Sequence, residues 1–198
     1  MSSLILASAS RHRAKILDDA GLSFARIPSE LDERSVEAPL EEANVAPEDR
    51  AQILAEAKAL NVSESHTDHV VIGSDQILSL GGEVLHKCAT MEDARRRLLN
   101  LSGKTHHLHS AVVIARNGET LWRHVTTCDM VVRELSPQFI GRYLSDVGDG
   151  VLSSVGAYQI EGRGIQLFSS IGGDMFSIIG LPLLPLLMQL RKLGEIDG

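Results

Sequence analysis

Apolar positions along this chain alternate between two periods, and the switches between them mark the elements. Leu4–Leu6 is a short apolar run that reads as a buried strand. Ser8 or Ser10 stands where it can cap a helix running to about Asp19, with Gly21 past its end. Residues 28–46 are acidic and aperiodic, which suits a surface loop or an acidic helix fragment. Pro47 opens a helical pattern over 47–61, with Ile53, Leu54, Ala57 and Leu60 as its apolar stripe. Residues 69–80 read as a strand interrupted near Gly73, and Gly81-Gly82 turns the chain back through EVLHK. Thr90 and Asp93 suit a capping box for a helix over 91–101, and Ser102-Gly103 stops it. Residues 106–115 and 119–135, joined at Asn117-Gly118, form the clearest hairpin. Ser136-Pro137 starts a helix to about Val147. Strand-like pieces follow at 156–160, 164–171 and 175–179, with a turn at Gly172-Gly173, and 181–190 reads as a buried C-terminal helix. Helices alternating with hairpins predict an α/β protein built on a mixed sheet.

At 198 residues and 43% hydrophobic, the chain is expected to form one domain over 1–198 with a core of its own. A formal charge of −7 argues against nucleic acid or an anionic membrane as a partner, because a polyanion needs a basic surface. Cys88 and Cys128 cannot build a disulfide framework, and two free thiols fit a reducing, cytoplasmic setting. The opening MSSLILASAS lacks the basic stretch of a signal peptide. The apolar stretch at 181–190 is too short to span a bilayer and holds two prolines.

Three segments carry candidate chemistry. Ser8-Ala-Ser10-Arg11-His12-Arg13 lies at a strand-to-helix junction, where free N–H groups, hydroxyls and arginines can cradle a phosphate. The same residues would also suit an ordinary helix cap with solvated arginines. Gly73-Ser74-Asp75-Gln76 follows an apolar strand, and the hairpin returns Lys87 to a position opposite residue 76 or 77. A carboxylate and an ammonium together could hold a metal ion and a polyphosphate, or could be a turn aspartate and a surface lysine. Asp32-Glu33 offers oxygen ligands to Mg²⁺ or Mn²⁺, although acidic loops are usually just solvated. LSGKT at 101–105 imitates a phosphate-binding loop, but Leu98 replaces its first glycine and a helix precedes it. His106, His107 and His109 lie within a strand and lack the helical spacing of a zinc site.

Taken in order, these pieces resemble the Maf-like (septum formation inhibitor) nucleotide pyrophosphatase family. The resemblance runs through LILASASRHR, VIGSDQ, LSGKTH, VTT, GAYQIEGRG and IIGLPL, which span nearly the whole chain. It implies a long mixed sheet flanked by helices, with two lobes and a cleft. It also implies metal-dependent hydrolysis of a nucleoside triphosphate to the monophosphate and pyrophosphate, and a possible homodimer. By motif, Asp75 would be the catalytic carboxylate, with Glu33 and Asp75 toward a Mg²⁺ or Mn²⁺ ion. Ser8, Ser10, Arg13, Lys58 and Lys87 would bind substrate. His12, Gln76 and Glu161 fall where the family varies with substrate, and Gln and Glu there resemble the 7-methyl-GTP subgroup. The chain departs from the family at Arg11 and Cys88, where prolines are usual, at His12, and at Ser153-Ser154, where the dTTP/UTP subgroup has Asp-Lys. The alternatives are a dTTP/UTP pyrophosphatase, an enzyme acting on deaminated purine triphosphates, and a non-catalytic nucleotide-binding regulator of cell division.

Overall fold

The computed structural model describes residues 4–197; Met1–Ser3, part of the opening segment read against a leader, lie outside them. Among the described residues, seven strands and seven α-helices follow one another along the chain. The strands are β1 (Leu4–Leu6), β2 (Phe24–Arg26), β3 (Val70–Leu80), β4 (Glu83–Leu85), β5 (Thr105–Arg116), β6 (Glu119–Val132) and β7 (Phe168–Gly172). The helices are α1 (Arg11–Asp19), α2 (Glu33–Glu42), α3 (Pro47–Ser63), α4 (Met91–Leu101), α5 (Pro137–Val147), α6 (Met175–Ile179) and α7 (Leu183–Lys192). One mixed sheet has the order β2-β1-β3-β5-β6-β7, with β4 beside the far end of β3. The expected α/β architecture of a mixed sheet flanked by helices is what the chain adopts.

Local chemistry accounts for most boundaries. The Ser10 hydroxyl accepts the Arg13 N–H and caps α1. Thr90 and Asp93 form the full capping box of α4. Gly81 and Gly82 both take positive φ in the β3–β4 turn, as do Asn117 and Gly118 in the β5–β6 turn. Residues 28–46 resolve into the acidic helix α2, capped by Asp32 and continuing through Pro39.

Five expectations are corrected. β3 runs unbroken through Gly73, because the glycine serves packing rather than a turn: an added Cβ would lie 2.2 Å from the Ala55 carbonyl oxygen and 2.7 Å from the Ala59 Cβ. The buried face of α3 is consequently the small-residue face Ala51, Leu54, Ala55, Ala59 and Val62, and the Ile53–Ala57–Leu60 stripe is only half-buried. Residues 156–160 form no strand, and only Phe168–Gly172 of the 164–171 piece does; 3₁₀ turns at Gly148–Ser153 and Arg163–Leu167 fold this region instead. Residues 175–179 are helix α6, because the Asp174 carboxylate caps the Ser177 N–H and Gly180 ends the helix at φ 124°. The C-terminal helix α7 buries Leu183, Leu186 and Leu190 but exposes Leu184 and Met188.

Two apolar clusters sit at opposite ends of the long strands. Leu6, Leu17, Ile72, Ile114 and Leu186 belong to one, and Leu78, Leu98, Leu108, Met130 and Ile140 to the other. β3 and β5 therefore pass through both lobes, and Asp75 lies midway on β3. In the second lobe, fully buried His106 meets the Tyr158 hydroxyl at 2.7 Å. Burial holds the His106 imidazolium down to about 4, from an ordinary 6.5. The unfolded chain binds this proton near pH 6.5 and the folded chain only near pH 4. The contribution is therefore full above 6.5 and is lost as the pH falls through that window, by about 2 kcal/mol at pH 5. His109 and His124 are also depressed, chiefly by burial, and act in the same direction. Urea unfolding at pH 7 and pH 5 should show this loss, and His106→Gln should flatten it.

Candidate active site

The sheet has a gap, and the site is built in it. On one side β3 pairs with β5 from Val71 to Ser79. On its other side it pairs with β1 only at Val70–Ile72 and with β4 only at Leu78–Leu80. Residues 73–77 of that edge therefore have no strand neighbour among the described residues. β1 leaves the sheet into the Ser8–Ser10 loop on one flank of the gap, and β4 leads to His86 and Lys87 on the other. A cavity of about 1250 Å³ opens there. It is lined by Ser8, Ser10, His12, Arg13, Glu33, Lys58, Asp75, Gln76, Lys87 and Glu161, so the ten residues the family resemblance assigned meet around one space, whereas Asp32, the other carboxylate of the acidic pair, caps α2 and does not line it.

At its centre lies a buried ion pair. The Lys58 ammonium donates to Asp75 Oδ1 at 2.7 Å and lies 3.0 Å from Glu33 Oε2. Lys58 projects from α3 between Ala55 and Ala59, where Gly73 lets the helix press on β3. Lys58 and Asp75 are both nearly inaccessible, whereas the Glu33 side chain remains 55% exposed. The close helix–strand contact thus sets the position of both members of the pair. Among the described residues the second Asp75 oxygen, Oδ2, accepts no hydrogen bond, and Asp75 lines the cavity.

Arg13 is committed to protein on most of its donors. Its Nε donates to the Gly180 carbonyl at 2.8 Å, and one terminal nitrogen to the Ser74 carbonyl at 2.9 Å and the Ser8 hydroxyl at 3.2 Å. Burial lowers its pKa, and Asp75 and Glu33 act against that shift. Gln76 is fixed just as firmly: its amide nitrogen donates to Ser110 Oγ at 2.8 Å and to the carbonyls of Ser177 and Ile178 at 3.2 and 2.9 Å. With three acceptors around the nitrogen, the group it can offer a ligand is its carbonyl oxygen.

The two lobes touch across the cavity. His12 Nδ1, from the first turn of α1, lies 2.9 Å from Glu161 Oε1, from the loop after the 3₁₀ turn at 148–153. That loop is tightly built. Ala157 takes φ 57°, and an added Cβ on Gly164 would lie 2.4 Å from the Gln159 carbonyl oxygen. Lys87 lines the cavity without an ion pair or side-chain hydrogen bond among the described residues.

Several contributors were not found from the sequence. Arg26 donates to the Ser8 and Ala9 carbonyls and shapes the Ser8–Ser10 loop. Ser74 and Ser110 donate to the Gly180 and Ser177 carbonyls and anchor α6. Arg34, Glu37 and Tyr158 also line the cavity. Arg26, Ser110, Arg34 and Glu37 belong to none of the motifs read in the sequence, whereas Ser74 and Tyr158 stand in VIGSDQ and GAYQIEGRG and Arg11 in the Ser8–Arg13 segment, without an individual role assigned there. His106, His107 and His109 stay outside the cavity lining, and no group of three or more His, Cys, Asp or Glu among the described residues is placed to hold a metal ion. No helix among them is long and apolar enough to cross a membrane.

The chain is similar to proteins that are themselves named for one activity. It is 60% identical over 195 residues to the "7-methyl-GTP pyrophosphatase" of Brucella abortus biovar 1 (strain 9-941), covering 98% of each chain. It is 58% identical to the protein of the same name from Mesorhizobium japonicum, and 54% identical to that from Rhizobium meliloti (strain 1021), again with 98% of each chain covered. Among solved structures, a HAM1 protein from Coxiella burnetii is similar at a TM-score of 0.42 and 17% identity, covering 67% of this chain and 73% of that one. The model of the Maf-like protein family matches residues 3–193, and the chain belongs to that family.

Proposed function

We propose that this protein hydrolyses a nucleoside triphosphate between its α and β phosphates, giving the monophosphate and pyrophosphate, with 7-methyl-GTP as the preferred substrate. The observation that carries the reading is the Glu33–Lys58–Asp75 cluster in the sheet gap, together with the names of relatives at 54–60% identity. Asp75 is the general base. One of its oxygens is held by Lys58, and the other orients the attacking water and takes its proton as the bond to pyrophosphate breaks. Ser8, Ser10, Arg13, Lys58 and Lys87 bind the phosphates. Lys58, buried against two carboxylates, and Arg13, held by protein carbonyls, are preorganised cations, and with the exposed Lys87 they offset the charge that develops on the leaving group.

Glu33 and Asp75 fit a divalent cation, Mg²⁺ or Mn²⁺, because both already place a carboxylate oxygen within 3.0 Å of one small cation, the Lys58 ammonium. Two carboxylates are a partial ligand set, and triphosphate oxygens suit the rest. When bound, the ion would offset the charge of the triphosphate and of the departing pyrophosphate.

Gln76 and Glu161 read the base. Both present oxygen acceptors, which complement the N–H donors of guanine and not the carbonyl of uracil or thymine. The 7-methyl group makes guanine cationic, and Glu161 favours that charge. His12 shares the same carboxylate and so tempers the preference.

Initial rates on 7-methyl-GTP, GTP, dTTP and UTP test the assignment. The expected order places 7-methyl-GTP first, and Glu161→Gln should cut its advantage over GTP in kcat/KM by about tenfold. A preference for dTTP or UTP would move the enzyme to the other subgroup, and nucleotide binding without turnover under any metal would make it a regulator.

A further inference from the structure

The charges that line the cavity are not all committed. Its carboxylates are Glu33, Glu37, Glu41, Asp75, Asp149 and Glu161, and its Lys and Arg residues are Arg11, Arg13, Arg34, Lys58 and Lys87. Arg13 is occupied by the Ser74 and Gly180 carbonyls and the Ser8 hydroxyl, and Lys58 by Asp75 and Glu33. The side chains of Arg11 and Arg34 make no ion pair or hydrogen bond with any described residue.

For Arg34 this needs an explanation. It stands in an acidic helix, with Asp32 and Glu33 before it and Glu37 one turn on, at the spacing where helical ion pairs form. The arginine nonetheless pairs with none of them. Glu37 keeps a pKa raised by burial and by its carboxylate neighbours Asp75, Glu33 and Glu41, against His86, rather than one lowered by Arg34. Arg34 follows Glu33, whose carboxylate meets Lys58 and, through it, Asp75. An arginine set beside the reacting carboxylates, lining the cavity and lacking a protein acceptor, suits an acceptor that the ligand brings. A guanidinium presents paired N–H donors that match two phosphate oxygens at once.

We propose that Arg34, with Arg11 on the first turn of α1, forms a subsite for the two terminal phosphates of the substrate, the part that departs as pyrophosphate. The inference rests on the triphosphate reading above. Arg34 and Arg11 bind, and take no part in proton transfer. The subsite makes the enzyme distinguish triphosphates from shorter nucleotides by the length of the phosphate chain, independently of the base. It also makes free pyrophosphate a product inhibitor.

The test uses Arg34→Gln and Arg34→Lys in the full chain. Arg34 is exposed and its side chain makes no ion pair or hydrogen bond with a described residue, so both variants should keep the wild-type Tm. Calorimetry with inorganic pyrophosphate should show binding to the wild type, weakened about tenfold in Arg34→Gln and partly restored in Arg34→Lys. KM for the triphosphate should rise by about the same factor with kcat nearly unchanged, while binding of the nucleoside monophosphate stays the same. Pyrophosphate binding that is absent from the wild type, unaffected by Arg34→Gln, or weakened no more than monophosphate binding would overturn the subsite. A wild type that binds pyrophosphate through Arg34 but releases none from any triphosphate would defeat the activity and leave the subsite standing.

Discussion

Asp75→Asn is expected to lower kcat by about a thousandfold while leaving the fold intact. The substitution keeps the shape of the side chain and an oxygen that can accept the Lys58 ammonium at the 2.7 Å site. It removes the charge that takes up a proton from water. Lys58 still has Glu33 at 3.0 Å, so its buried charge is not stranded. The loss should therefore fall on turnover rather than on folding, with KM little changed. Steady-state kinetics and a thermal melt on the same preparation separate the two. A variant retaining more than about a tenth of the wild-type kcat would remove Asp75 from the role of base.

Gly73→Ala should have the second largest effect, and on stability first. A methyl at this position would lie 2.2 Å from the Ala55 carbonyl oxygen and 2.9 Å from the Ala59 backbone nitrogen. These are main-chain atoms of α3 and cannot rotate away, so the helix must move off the sheet. Overpacking of this kind costs about 3 kcal/mol, or about 10 °C in Tm for a chain of this length. Activity should fall further than stability accounts for, because α3 carries Lys58 and β3 carries Asp75. Displacing one against the other lengthens the 2.7 Å contact that positions Asp75, the proposed base. An unaltered Tm in Gly73→Ala would mean that α3 and β3 are not held at this spacing.

Gly73 also shows why sequence alone described the fold better at its ends than at its centre. Caps and turns are written in a few adjacent residues, so Ser10, Thr90 with Asp93, Asn117-Gly118 and Ser136-Pro137 were all legible. A glycine in an apolar run reads equally as an interruption or as a place of close approach. Only the alanines of α3, some fifteen residues away, decide between them. The buried face of α3 was misjudged for the same reason: bulk marks a core face on average, but here the tight contact selects alanine. Residues 175–179 carry strand-forming side chains, yet Asp174 and Gly180 cap and end a short helix that Gln76, Ser110, Ser74 and Arg13 hold by its carbonyls.

That these residues share one cavity was legible through the family resemblance, and only weakly through local chemistry. Lys58 looked like any helix lysine until β3 brought Asp75 beneath it. The division of labour among the cations could not be read at all. Arg13 is bound to Gly180, 167 residues later, while Arg34 lies in a charge run whose usual fate is solvent. That gap at residues 73–77 of β3, which turns a sheet edge into a cavity, depends on where β1 and β4 stop pairing, and no local motif encodes it.

Phosphorus NMR of the products formed from 7-methyl-GTP with Mg²⁺ or Mn²⁺ tests the central claim most directly. The expected spectrum contains 7-methyl-GMP and pyrophosphate in equal amounts, with neither formed by Asp75→Asn on the same time scale. Orthophosphate with the nucleoside diphosphate would show that the terminal bond is cut instead, and that the cluster around Asp75 does not act between the α and β phosphates.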